Sequence, residues 1–137
     1  MSQGIHAVLD TNILVSAFWS ADGIPSKIIR LIPDGIVVPY YCVEILREYR
    51  TVLMRPAFRF PPAKIDELMR LYVKYGQFVS PTPSNVSLPD ESDRVFYDTA
   101  QISNAILITG NMKHFPKEPF VMAPSDFYRY ILGGGVK

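Results

Sequence analysis

Cysteine is nearly absent from this sequence: Cys42 stands alone among 137 residues. One thiol excludes an internal disulfide framework and any cysteine-based zinc site. Histidine is almost as scarce. Neither His6 nor His114 forms a recognisable pairing with Cys42 or with a serine elbow, which argues against a cysteine or serine hydrolase. No apolar run approaches the roughly 20 residues needed to span a bilayer. The start carries no basic segment followed by a long apolar core, the pattern of a secretory leader. A cytoplasmic protein without membrane contact is therefore expected. The net charge is only +1, which argues against indiscriminate coating of nucleic acid but is compatible with a local basic rim.

What is present is a globular composition: 48% of residues are apolar and 20% charged, enough for one ordinary core. One domain is expected over residues 1–132, with Gly133-Gly134-Gly135 releasing a flexible tail over 133–137. Ile5 to Leu9 is an almost wholly apolar run, as in a central parallel strand. It ends in Asp10-Thr11-Asn12, and Ile13, Leu14, Ala17 and Phe18 then recur at helical spacing. Further strands are expected at Ile36–Pro39, stopped by its proline, at Phe78–Val79, at Ala105–Thr109 and at Phe120–Met122. Helices are expected from Pro25 to about Leu31, Tyr41 to Met54, Pro62 to Tyr75, and Ser92 to Ser103. A last one is capped by Ser125. Ile45, Tyr49, Val52 and Leu53 form the inward stripe of the second, with Glu48 at its border. Ile65, Leu68, Met69, Tyr72 and Val73 form that of the third. This alternation predicts an α/β fold, a three-layer α/β/α sandwich on a mainly parallel sheet of four to five strands.

The chemistry-bearing residues sit at the ends of these elements. Asp10 follows the first strand, where open α/β sheets place their ligands; capping the next helix is the plainer role, which Asn12 would fill equally well. Asn111 follows the later strand in the same way. Asp93 lies at a helix start, where it also suits the helix dipole, and Glu48 can be read as a solvated helix glutamate. Arg94 and Asp98 are spaced as an i, i+4 ion pair. If the first strand and Ala105–Thr109 are neighbours, Asp10 and Asn111 share a crevice that Glu48 and Asp93 can face. Carboxylates gathered there need a divalent cation, and hard oxygen ligands select Mg²⁺ or Mn²⁺. Such a site suits hydrolytic phosphoryl chemistry.

Val8-Leu9-Asp10-Thr11-Asn12-Ile13-Leu14-Val15-Ser16-Ala17 resembles the opening motif of PIN-domain nucleases, in particular the VapC-like toxins of toxin–antitoxin modules. The similarity continues through Glu48-Tyr49-Arg50-Thr51-Val52-Leu53 with Arg55-Pro56, and through Asp90-Glu91-Ser92-Asp93 with Ala100. Leu107-Ile108-Thr109-Gly110-Asn111 completes it, so it spans nearly the whole chain. The resemblance implies a metal-dependent endoribonuclease acting on single-stranded RNA. Asp10, Glu48 and Asp93 match its metal-binding acids, and Asn111 stands where the family usually has a fourth acid. Thr11, Asn12 and Thr109 match polar positions that support the acids. It also implies a homodimer and a small antitoxin that occludes the site, with Trp19, Phe58 and Phe60 available for contacts. Lys113, His114, Lys117 and Arg94 suit either an RNA-binding rim or simple loop solubility. A catalytically weakened PIN-like domain that binds RNA or a partner is the alternative, favoured by Asn111. An aspartate-nucleophile phosphatase is opposed by Asn12, where that chemistry needs a second acid.

Overall fold

Ala7, Val8 and Leu9 have no solvent exposure, so the first strand needs partners on both edges and helices on both faces. The computed structural model, which describes residues 4–133, supplies both. The strands are β1 (Ile5–Leu9), β2 (Val37–Tyr41), β3 (Gln77–Phe78), β4 (Ile106–Ile108) and β5 (Val121–Met122). They form one sheet in the order β3-β2-β1-β4-β5, and every pairing is parallel. Helices α1 (Thr11–Trp19) and α2 (Ile24–Arg30) link β1 to β2, and α3 (Val43–Leu53) and α4 (Pro62–Tyr75) link β2 to β3. Helix α5 (Arg94–Ile102) precedes β4, and α6 (Pro124–Leu132) follows β5. The α/β/α sandwich expected from the alternation is what forms.

The chain builds outward from β1 to β3, then returns to the other side of β1 to lay down β4 and β5. The β1/β4 boundary is thus the topological switch point, where helices on opposite faces leave a crevice beyond the strand ends. Leu9 pairs with Ile108, so both strands stop level at that crevice. The core around them includes Ile13, Leu14, Ile28, Ile45, Leu53, Ile65, Phe96 and Phe127, all nearly or fully buried. Each such side chain is worth about 1.5–3 kcal/mol of transfer free energy.

Several expectations are corrected. Pro39 does not stop its strand. The N–H of Ile5 bonds the carbonyl of Ile36, and strand alternation turns Val38 and Tyr40 the same way. Pro39 therefore faces the β3 side, where pairing starts only at Tyr40, and its missing donor interrupts no ladder. Gly76, which ends α4, is required there: a Cβ would lie 2.6 Å from the carbonyl oxygens of both Pro39 and Tyr72. Val73 is exposed, outside the stripe formed by Ile65, Leu68, Met69 and Tyr72. The last helix starts at Pro124, capped by Ala123 and not by Ser125, because a proline at the first helical position sets the start itself. Within the proposed tail, residues 134–137 lie outside the described residues.

Candidate active site at the strand ends

Asp10 leaves β1 directly into α1, and both carboxylate oxygens are engaged. Oδ1 accepts the Thr11 backbone N–H at 2.8 Å and caps α1. Oδ2 accepts the Thr109 hydroxyl at 2.8 Å and the Asn12 amide at 3.2 Å. The helix cap and the contact with the β4 end therefore coexist in one residue. Asn12 Oδ1 also accepts the Gly110 N–H at 3.1 Å, and the Thr109 hydroxyl accepts that of Asn111 at 2.9 Å. The polar residues after β1 and β4 thus join the two strand ends around one carboxylate. A carboxylate only 6% exposed needs such donors. Burial nevertheless outweighs them and raises the Asp10 pKa.

Asp93 closes a 3₁₀ turn (Glu91–Asp93) before α5. Its pKa is pushed up to about 6, chiefly by burial and then by the charges of Asp10 and Asp90, against the opposing effect of His114. His114 Nδ1 faces Asp93 Oδ2 at 3.2 Å. Glu48, half-buried on α3, accepts the Thr11 hydroxyl at 2.6 Å. Its neighbour Tyr49 fixes that helix: the buried phenol donates to the carbonyl of Leu9 at 2.6 Å and lies 3.2 Å from the Tyr72 hydroxyl. Two successive residues of α3 thereby dock on the end of β1.

These groups surround a pocket of about 340 Å³ lined by Asp10, Thr11, Asn12, Asp90, Asp93, Asn111 and His114. Thr109 stands behind Asp10, and Glu48 is linked to the wall through Thr11. Lys113 and Lys117 are exposed and do not line it. Arg94 is corrected both as a phosphate-binding residue and as the ion-pair partner of Asp98. Its Nε and Nη2 donate to Glu91, Nη1 to the carbonyl and hydroxyl of Ser84, and Nη2 also to the carbonyl of Val86. All its donors are taken, three of the bonds pinning the 81–90 crossing. Asp98 instead accepts the Ser84 N–H at 3.0 Å. Val52, Arg55 and Phe58 also line the pocket, although nothing in their spacing assigns them to it. For Val52, Arg55 and Asp90 the one signal is that they fall in motifs that carry the resemblance; Phe58 has none.

A family model described as "PIN domain" matches residues 6–113. The chain belongs to the PIN-domain family. This PIN domain is 30% identical over 110 residues to "Uncharacterized protein MJ1680" of Methanocaldococcus jannaschii, covering 78% of this chain and 71% of that protein. Its fold is similar to a chain in the crystal structure of VapBC2 from Rickettsia felis bound to a DNA fragment from their promoter. The TM-score is 0.58 at 14% identity, over 87% of this chain and 97% of the other.

The donors in this PIN domain fit a hard divalent cation. Of the four acceptor positions on the Asp10 carboxylate, three are used by protein donors, leaving one on Oδ1. Asp93 Oδ1 accepts no bond among the described residues, and Asn111 offers an exposed amide. Burial and, after it, the negative charges of Asp10 and Asp90 raise the Asp93 pKa, so a cation at these oxygens would be met by charge that favours it. Among the described residues, however, no three His, Cys, Asp or Glu side chains form a ready-made metal cage.

Proposed function

We propose that this PIN domain is a metal-dependent endoribonuclease that hydrolyses phosphodiester bonds of single-stranded RNA. In this reading it is the VapC-like toxin of a toxin–antitoxin pair, a cytoplasmic homodimer held in check by its antitoxin. The observation that carries the catalytic part is the Asp10 carboxylate: buried at the switch point, braced by three donors, and placed on one pocket wall with Asp93 and Asn111. The family membership and the VapBC2-like fold support the toxin part. No helix among the described residues is long and apolar enough to cross a membrane.

Asp10, Asp93 and Glu48 would hold Mg²⁺ or Mn²⁺, with the Asn111 amide adding a neutral oxygen. A divalent ion bound there would neutralise phosphate charge and lower the pKa of water. The chain's own part is positioning. Thr109 and Asn12 fix the Asp10 carboxylate, and Thr11 fixes that of Glu48. Asp93 is ionised above about pH 6. His114, beside it and on the pocket lining, would meet the substrate backbone.

The test is cleavage of an unpaired oligoribonucleotide and of its duplex, with Mn²⁺ or with chelator. Wild type should cut only the unpaired strand and only with metal. Asp10→Asn should lose activity on the order of a thousandfold, as when a central electrostatic group is removed. Unchanged cleavage by Asp10→Asn would overturn the assignment. Asn111, which contributes no charge, favours one other reading: a weakened domain that holds RNA or a partner without cutting. RNA binding without metal-dependent cleavage would establish it.

A further inference from the structure

The lining of the acid pocket carries a second chemistry. Arg55 and Phe58 line the same pocket as Asp10 and Asp93. The Phe58 ring stacks on Phe60, with centroids 5.0 Å apart at 26°. Trp19 meets both rings edge-on, at 5.8 and 5.0 Å. The indole is 61% exposed and ends α1, the helix whose first turn carries Thr11 and Asn12. Arg59, between the two phenylalanines, has φ 58°, left-handed backbone that costs about 1–2 kcal/mol for an L-residue. Arg55 and Arg59 are both exposed, and neither enters an ion pair among the described residues.

An exposed indole packed on Phe58 and Phe60, in a segment that carries the unpaired Arg55 and Arg59, offers what single-stranded nucleic acid uses: a stacking surface for bases and cations for the backbone. An exposed aromatic patch also suits a protein partner. Two observations favour the nucleic acid. Phe58 and Arg55 line the acid pocket, so a strand whose phosphate reaches Asp10 shares one cavity with them. The two free charges near the aromatic cluster complement a polyanion. We infer that Trp19, Phe58 and Arg55 form a base-and-phosphate subsite for an unpaired nucleotide flanking the phosphate held at the acids. Helix α1, of 9 residues, is about 13 Å long at 1.5 Å per residue. Trp19 therefore addresses a neighbouring nucleotide and not the scissile one. This inference deepens the ribonuclease reading and rests on it.

Trp19 is the sole tryptophan, so its fluorescence reports the subsite directly. The experiment titrates the full chain, in chelator to prevent metal-dependent cleavage, with a short unpaired oligoribonucleotide and with an abasic oligomer of equal length. Binding is followed in parallel by anisotropy of the labelled oligomer. The base-bearing strand should quench Trp19 and the abasic strand should not. Trp19→Ala and Phe58→Ala should each weaken binding about 5- to 100-fold, and Arg55→Gln should lower the salt dependence by about one phosphate contact. Circular dichroism checks that the variants fold; Trp19 and Arg55 are exposed enough for their loss to leave the core intact. RNA binding with unchanged Trp19 emission, and equal affinity in Trp19→Ala, would overturn the subsite while leaving the ribonuclease reading in place. Failure of the wild type to bind any unpaired RNA in chelator would overturn the subsite, while the ribonuclease reading stands or falls on cleavage with Mn²⁺. An emission shift with protein concentration alone, matched by dimer formation in sedimentation, would make the patch a protein interface and overturn the subsite.

Discussion

Asp10 and Asp98 are equally buried, at 6% and 5% exposure, yet their surroundings differ. Asp98 sits under the 81–90 crossing. One of its oxygens takes the Ser84 N–H and the other has no partner among the described residues, while Arg94 beside it satisfies carbonyls of the same crossing. Asp10 receives three donors and still shares its pocket with Asp93, whose proton is held up to about pH 6. In one region charge is consumed in holding backbone together. In the other it is braced by donors that carry no charge, and in the proposed reading that is where a cation binds. Burial alone does not separate these two acids; the partners do.

The sharpest way to break this contrast is at Asp10. Asp10→Asn should lose cleavage on the order of a thousandfold while the fold survives, intact or slightly more stable, because repulsion toward Asp93 is removed. Cleavage rates and urea midpoints measured together check both halves. Thr109→Val removes the hydroxyl that joins Asp10 to the β4 end and should cost about 10- to 100-fold in metal affinity or activity, measurable by Mn²⁺ titration. Arg94→Ala should show the opposite profile. It strips charge-assisted bonds from the crossing and should lower the denaturation midpoint in denaturant melts, with turnover per folded molecule unchanged.

The smallest expected effect is the pH dependence without metal. The Asp93 pKa rises from 3.8 to about 6 on folding, so between those values the folded chain binds more protons than the unfolded one. Metal-free stability should therefore fall as pH rises from about 4 to about 6. Asp93→Asn should flatten that fall, as read from urea midpoints across the range.

The sequence made the central strands legible because Ala7-Val8-Leu9 and Ile106-Leu107-Ile108 are apolar on both faces, and only a doubly covered sheet takes such runs. Asp10, Asp93 and Asn111 were legible as element-end residues, and the β1/β4 pairing brought them onto one pocket. What was not legible depends on contacts between distant segments. Arg94 was misread as the partner of Asp98 because the carbonyls of Ser84 and Val86, which claim it, come from a crossing with no periodicity. Pro39 was misread because its tolerance depends on which edge of the strand it faces. Arg55 and Phe58 carry no periodic signal, and only packing turns them toward the acids.

The most direct test of the central claim is calorimetric titration of Mn²⁺ into the wild type and Asp10→Asn near pH 6, in two buffers of different ionisation enthalpy. The wild type should show a binding heat that depends on buffer, because Asp93 gives up its proton as the cation enters, and Asp10→Asn should show none. Equal heats for both proteins, or none for either, would contradict the reading of the strand-end acids as a cation site.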